Sequence, residues 1–201
     1  MKRSIICFLL TGVLVLTLHA QKDESPKQIG KFGISFSSFG GGDFFTFASL
    51  DGGGSYSSKS FYAFGLNYMR DINRWLEFET GIEYSRNKYT IHSSLPDMKS
   101  YKSSVNLINI PFTVRVNFWK YFFANGGGLI DIDLTKNRDV DRQTGLGVMM
   151  GVGGKYDFSS GFSVFANPYF KIHSLLSFDM ESTHYRLGNA GVRIGVMYHI
   201  R

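Results

Sequence analysis

The chain has 201 residues, a formal net charge of +6 from 22 Lys and Arg against 16 Asp and Glu, and a single cysteine. This length suits one domain of ordinary size, and so small a basic excess does not require a nucleic-acid partner. After the first 20 residues no stretch approaches roughly 18 consecutive apolar residues, which argues against a helical membrane span. Abundant aromatic residues and glycine, 16% aromatic and 23 Gly against 4 Pro, indicate β-structure with closely packed backbones.

The start of the chain has the three parts of a secretory signal. Lys2 and Arg3 supply positive charge, an apolar run follows, and Ala20 is a small residue at the expected cleavage position. We therefore predict a signal peptide at 1–20 and an exported domain at 21–201. The only cysteine lies inside this signal, so the mature chain is expected to contain no disulfide.

The exported part contains eight segments in which apolar residues alternate with polar or small ones. A period of two over about ten residues is typical of strands that cross a membrane in a barrel. The pattern is clearest in the fourth segment, where outward apolar residues run from Ile108 to Phe118. In chain order the predicted strands are 31–39, 61–70, 75–89, 105–118, 122–134, 144–158, 162–174 and 187–201.

The connections between these segments alternate strictly between short and long. The short ones are 71–74, 119–121 and 159–161, and the long ones are 40–60, 90–104, 135–143 and 175–186. Tight periplasmic turns and longer external loops produce this alternation in outer-membrane barrels. We therefore predict an all-β fold, an eight-stranded antiparallel up-and-down transmembrane β-barrel in the cell outer membrane, over approximately 28–201.

Each predicted strand has an apolar face and a second face formed by the residues in between. This second face favours a membrane barrel over a soluble one. It is mostly Gly, Ser, Asn and Thr with scattered charges, which suits the narrow lumen of an eight-stranded barrel. A soluble, lipocalin-like barrel is the structural alternative, but it needs its apolar face inside. Aromatic residues cluster near the short connections, as in the girdle at the headgroup level. They are Tyr68, Trp75, Phe118, Trp119, Tyr121, Phe122, Tyr156, Phe158, Phe162 and Tyr198.

Charged residues on the second face form the main candidate site. Because charges in an enclosed lumen must be paired, we predict a structural salt-bridge network that plugs the barrel. An ion path or a ligand pocket is the alternative, although a barrel of this size normally leaves no aqueous channel. The network residues are Glu77, Glu79, Glu83, Arg115, Asp131, Asp133, Lys155, Lys171 and Arg193.

Three phenylalanines lie between two glycine runs in the predicted 40–60 loop. We expect Phe44, Phe45 and Phe47 to fold back over the barrel mouth or to present an apolar contact site. Neither glycine run precedes a helix with Lys-Ser/Thr, so no nucleotide site is predicted.

Three stretches carry a family resemblance. Residues 109–118 contain an Ile-Pro-hydrophobic step, residues 73–84 have the sequence Asn-Arg-Trp-Leu-Glu-Phe-Glu-Thr-Gly-Ile-Glu-Tyr, and residues 167–169 are Asn-Pro-Tyr. With these stretches the chain resembles, over about 28–201, the small outer-membrane β-barrel family of Bacteroidota that includes PorT-like proteins. The resemblance implies a barrel fold and a secretion-associated binding role.

Candidate catalytic and metal-binding residues are few. His92-Ser93-Ser94 is similar to the His-x-Ser step of outer-membrane lipid A deacylases, but no acid can be assigned to orient the imidazole. His173 and His184 are isolated and lack metal-ligand spacing. We therefore predict no catalytic residue, no metal and no cofactor.

The predicted function is that of an integral outer-membrane barrel, a structural or interaction component of the envelope and not an enzyme. A PorT-like secretion-associated module and a lipid A-modifying enzyme are the alternatives. The expected partners are outer-membrane lipid and an envelope protein that contacts the external loops, with no nucleic acid, and the protein is expected to be a monomer. Arg86 and Lys88 either reach lipid phosphates or lie at a solvated strand end.

Overall fold

The computed structural model describes five stretches of the chain, with side chains for all of their residues except 45, 55–59, 92 and 101. The predicted signal peptide and Phe47 lie outside these stretches. No helix in the described part is long and apolar enough to cross a membrane. The described stretches are 30–45, 55–92, 101–136, 140–178 and 185–200.

Eight antiparallel strands form a closed barrel within the described residues. Each strand pairs with its neighbours in the chain, and the first pairs with the last along the closing seam. Closure satisfies every edge, which an open sheet in a bilayer cannot do. This arrangement confirms the predicted all-β, eight-stranded up-and-down architecture. The strands are β1 Gly30–Phe45, β2 Ser55–Asp71, β3 Leu76–His92, β4 Tyr101–Phe118, β5 Phe122–Asp133, β6 Gly145–Asp157, β7 Phe162–Ser177 and β8 Arg186–Ile200.

At the end opposite the short turns, which the sequence pattern predicts to be external and which is here called the external end, six of the eight strands extend further than the alternation predicts. β2, β3 and β4 have 17, 17 and 18 residues, whereas β5 and β6 have 12 and 13. About 9–11 residues suffice for a tilted strand to cross a bilayer. The barrel wall is therefore high along β2–β4 and low along β5–β6.

The prediction that a loop starts at residue 40 is wrong, because the chain continues as β1 to Phe45. A register shift between Ser38 and Gly41 marks a β-bulge against β8. A Cβ atom at Gly40 would overlap the carbonyl oxygen of Ala190. The glycine run therefore allows the backbones of β1 and β8 to approach closely at the seam. The period-two pattern is lost there because the bulge changes which side chains face inward.

The outer surface of the barrel is apolar, with aromatic rings at the short-turn end. The ring centroids of Phe32 and Tyr68 lie 4.6 Å apart, and those of Phe162 and Tyr198 lie 4.9 Å apart. Trp119, in the turn between β4 and β5, is 84% exposed. Amphipathic rings at this level suit the interface between hydrocarbon and water.

The lumen holds larger side chains than the sequence pattern predicts. Phe123 and Phe165 point inward and are buried. Each lies opposite a glycine on the next strand, Gly153 for Phe123 and Gly195 for Phe165, and a Cβ atom at either glycine would overlap the ring. Glycine thus provides the space into which a ring fits.

Adjacent glycines in β5 provide a matched test of these close approaches. A Cβ atom at Gly127 would overlap the carbonyl oxygen of Phe112, whereas at Gly128 the nearest atom would be the Gly147 carbonyl oxygen at 3.9 Å. We expect Gly127→Ala to lower the free energy of unfolding by about 1–3 kcal/mol, and Gly128→Ala to leave it nearly unchanged. Urea titration followed by the heat-dependent gel mobility of the folded barrel measures both, and equal effects would contradict the assignment.

Candidate functional site

The centre of the lumen is crossed by one carboxylate between two guanidinium groups. Glu79 on β3 lies 3.0 Å from Nη2 of Arg115 on β4, measured from Oε2, and its Oε1 lies 2.8 Å from Nη1 of Arg193 on β8. The three residues are 0%, 2% and 1% exposed. All three were predicted to face inward, and the structure brings them together as a buried triad.

Aromatic rings and an amide complete this central layer. The guanidinium carbon of Arg115 lies 4.0 Å from the ring centroid of Phe123 and 5.0 Å from that of Phe165. The second guanidinium, of Arg193, lies 5.3 Å from the Phe165 centroid, and its Nη2 donates to Oδ1 of Asn167 at 3.2 Å. Cation–π contacts of this kind stabilise a desolvated cation. They also offset the excess positive charge left by two arginines around a single carboxylate.

A second charged group lies toward the short-turn end and is centred on Glu77. Its Oε1 accepts from Nζ of Lys31 at 2.6 Å and from Nζ of Lys155 at 3.2 Å. Lys31 also lies 3.1 Å from Oδ1 of Asp71, and Nε of Arg115 lies 3.9 Å from Oε2 of Glu77. Lys31 and Asp71 are not among the predicted network residues because both lie at strand ends, although Lys31 shares the inward parity of the other lumen residues of β1.

A third pair lies on the external side of the central layer. Nζ of Lys171 on β7 donates to Oε1 of Glu83 on β3, and both side chains are buried. The ammonium also lies 4.7 Å from the ring centroid of Tyr169. The pair bridges strands on opposite sides of the barrel, so it fills the lumen between them.

The prediction that His173 is isolated is wrong. Its Nδ1 lies 3.1 Å from Oδ1 of Asp131 and 3.3 Å from Nδ2 of Asn109. The same carboxylate accepts from Nδ2 of Asn109 at 2.6 Å and from the backbone N–H of Ser174 at 3.0 Å. Inward parity on β4, β5 and β7 could have indicated this cluster. However, these strands are not all neighbours, and the sequence does not show the level of each residue along the barrel axis.

Asp133 has a different role from the paired charges. Its Oδ1 accepts from the backbone N–H of Thr135 at 2.8 Å, and its Oδ2 accepts from that of Gln143 at 3.0 Å. The carboxylate therefore orders the chain where it leaves β5 and returns toward β6. Hydrogen bonds from backbone N–H groups stabilise a buried carboxylate without a cation.

The predicted phenylalanine contact site is described only at Phe44. This residue belongs to β1, and its ring centroid lies 4.9 Å from that of the buried Tyr89. Phe45 ends β1 without a described side chain, and Phe47 lies outside the described residues. Phe44 packs, at the external end of the lumen, against a cluster made of Tyr89, Val105, Leu107 and Leu187, here called the apolar cap.

The described residues contain no group of three His, Cys, Asp or Glu side chains arranged to hold a metal ion. His92 is the last residue of β3 and its side chain is not described, and Ser93 and Ser94 lie outside the described residues. The charged side chains of the described lumen form ion pairs with one another or accept backbone hydrogen bonds.

The central triad can be tested through its carboxylate. We expect Glu79→Gln to lower the free energy of unfolding by about 3–5 kcal/mol, because Arg115 and Arg193 would then remain buried without a counter-charge. Asp157→Asn is the matched control, since this carboxylate is 46% exposed and lies 3.9 Å from Nζ of Lys155, and we expect an effect below about 1 kcal/mol. Urea unfolding measures both, and equal losses would show that the triad contributes no more than an exposed pair.

Comparison with known proteins agrees with this architecture. The chain superposes on the structure of the outer membrane protein AlkL in lipid bilayers with a TM-score of 0.57 and 11% identity, covering 90% of this chain and 94% of that one. It superposes on the outer membrane protein OprG from Pseudomonas aeruginosa with a TM-score of 0.51 and 12% identity, covering 87% and 98%. At such low identity these likenesses establish the fold alone. Among curated proteins, none shows significant sequence similarity to the chain.

Residues 8–199 match a family described as the outer membrane protein beta-barrel domain. The match spans nearly the whole chain and agrees with the closed eight-stranded barrel. It confirms the predicted location in the cell outer membrane. The chain is therefore a member of the outer membrane protein beta-barrel domain family.

Proposed function

We propose that this barrel is a closed interaction component of the bacterial envelope, acting through its external end and carrying out no catalysis. In this proposal the transmembrane part is an anchor, and a partner is recognised outside the membrane. The proposal depends chiefly on one observation, the buried triad of Glu79, Arg115 and Arg193 across the lumen.

The triad supports closure because its carboxylate is held by two short ion pairs across the lumen. A permeating ion would have to separate Glu79 from two guanidinium groups within a desolvated layer, and breaking a buried ion pair is strongly unfavourable. The rings of Phe123 and Phe165 occupy the space beside the arginines. An eight-stranded barrel is only wide enough for side chains to fill.

The external end of the barrel supports a role in recognition. Nε2 of Gln143 donates to the carbonyl oxygen of Tyr185 at 2.7 Å, and Oε1 of Gln143 accepts from the backbone N–H of Leu187 at 3.0 Å. These bonds tie the segment before β6 to the start of β8. A rim held in this way, beside the high wall of β2–β4, provides a preorganised surface, and preorganisation lowers the entropic cost of binding.

The resemblance to PorT-like barrels of Bacteroidota narrows the proposed partner to a component of a secretion apparatus. The Asn-Pro-Tyr step at 167–169 and the Ile-Pro step at 110–111, which carry that resemblance, both lie within strands. They support a shared barrel scaffold, and the partner itself has to be found by experiment.

Conductance tests closure directly. We expect the wild-type protein in a planar bilayer to show no steady single-channel current, because the central layer blocks ion passage. A triple variant with Ala at positions 79, 115 and 193 removes the charged groups of that layer, and we expect it to conduct if it retains heat-dependent gel mobility. Steady current through the wild-type protein would refute a closed barrel.

Photo-crosslinking tests recognition at the external end. A photoreactive residue in place of Asp43 or Arg142, at the external end, is expected to give a discrete protein adduct in cells. The same residue at Lys120, in the short turn between β4 and β5, is the control and is expected to give no such adduct.

An assay on lipid A tests the absence of catalysis. Loss of an acyl chain from lipid A incubated with the purified protein, abolished by Ser94→Ala, would identify an enzyme and overturn the proposal.

A further inference from the structure

The outward faces of three neighbouring strands change from apolar to basic at one level of the barrel. Tyr84 on β3 is the register partner of Ile108 on β4, which is in turn the partner of Ile132 on β5. Side chains at these positions continue the apolar outer surface that begins at the short-turn end. This row is therefore the external edge of the apolar band on the β3–β5 wall, here called the edge row.

Four cations follow within a few residues of the edge row. On β3, Arg86 and Lys88 continue the outward parity of Tyr84. On β4, Lys102 is the register partner of Thr90, and after the end of β5, Lys136 is exposed. Two residues of strand rise about 6–7 Å, so Arg86 lies one side-chain length beyond the hydrocarbon edge. Lipid phosphate groups occupy that level.

These cations line one groove. It has a volume of about 1070 Å³, and its lining includes Arg86, Lys88, Lys102 and Lys136 together with Asn106 and Leu134. The groove forms where β5 ends while β4 continues, paired only with β3. The last contact of the β5 side is the hydrogen bond from the backbone N–H of Leu134 to the carbonyl oxygen of Asn106, at 2.9 Å. The groove therefore results from the difference in length between β4 and β5.

Among the described residues, the cations of this groove have no carboxylate partner. In the part of the chain that the structure describes, none of the four forms an ion pair with a carboxylate. Nε of Arg86 is buried without a hydrogen-bond acceptor. An anion with several acceptor oxygens would pair with these cations and could accept from the unsatisfied donor of Arg86.

The opposite wall of the barrel differs. On β7 and just beyond it, the exposed residues Phe170, Leu176 and Phe178 continue the apolar surface to the external end. The change from apolar to basic therefore distinguishes the β3–β5 wall from the β7 wall. A general effect of a positively charged surface would not be confined to one wall.

We propose that this groove binds the phosphate groups of an outer-leaflet glycolipid, the phosphorylated diglucosamine of lipid A. The protein lies in the outer membrane, whose outer leaflet presents phosphate at the level of these cations. In this arrangement the phosphate oxygens contact Arg86, Lys88, Lys102 and Lys136, while the acyl chains lie against the edge row. Tyr84 Oη donates to Oδ1 of Asn106 at 3.1 Å, which leaves the amide N–H groups of Asn106 to donate to the ligand.

Lipid retention tests this site. The folded full-length protein is placed in phosphatidylcholine nanodiscs that contain either bis-phosphorylated lipid A or its dephosphorylated form, then exchanged into detergent, and bound lipid is counted by native mass spectrometry. We expect the phosphorylated form to be retained more than about tenfold better, because each Lys or Arg adds attraction to an anionic lipid. Equal retention of the two forms by the wild-type protein would overturn the proposal without any variant.

Substitutions then locate the site. Gln in place of Arg86, Lys88, Lys102 and Lys136 is expected to remove the preference for phosphorylated lipid A. The control variant carries Gln in place of Arg70, Arg74 and Lys120, exposed cations at the short-turn end, and is expected to keep the preference. If the control loses it as well, net charge and not the groove is responsible.

Binding of inorganic phosphate in place of lipid A, or unchanged retention in folded single variants, would also count against the proposal. One such result is that inorganic phosphate binds the wild-type protein, that the four-residue Gln variant loses this binding, and that lipid A is not retained. The site would then recognise a free ion. If the four-residue variant fails to show heat-dependent gel mobility, single Lys88→Gln and Lys136→Gln variants replace it. Unchanged retention in both folded single variants would contradict a phosphate contact at this groove.

Discussion

The width of an eight-stranded lumen is the constraint on which the rest of this structure depends. The enclosed space holds side chains and excludes the water that would solvate a charge, so each ionised group inside must meet an opposite charge, a hydrogen-bond donor or a ring. Glu79 meets two arginines, Asp133 meets backbone N–H groups, and Arg115 meets the ring of Phe123. The same constraint explains why glycine lies opposite the inward rings of Phe123 and Phe165.

The period-two pattern made the architecture predictable, because in a barrel one parity faces lipid and the other faces the lumen. The inward placement of Glu79, Arg115 and Arg193 follows from parity alone. Their grouping does not, since it depends on the relative heights of β3, β4 and β8. For the same reason the pairing of Lys31 with Glu77 was missed, because residues 46 positions apart come to one level only through strand register.

Irregular backbone limited the prediction elsewhere. Glycine is common in loops, so the run at 40–42 indicated one, whereas it provides the clearance for a bulge between β1 and β8. His173 has no charged neighbour in sequence, yet Asp131 comes within 3.1 Å through two intervening pairings. A bulge and a contact across the lumen are both properties of the closed barrel. Neither can be recognised in a short segment of the sequence.

The seam between β1 and β8 has a consequence for how the protein assembles. Seven of the strand pairings join neighbours in the chain, but the seam joins Gly30 to Ile200, the most distant residues that pair. Bringing such distant segments together is the step with the greatest loop-closure entropy and the highest contact order. Hairpins can form one after another as the chain enters the bilayer, whereas the seam forms only when the two terminal hairpins are both in place. Until then the unpaired edges of β1 and β8 can pair with other β-strands, so the half-closed sheet is the species most exposed to edge-to-edge association.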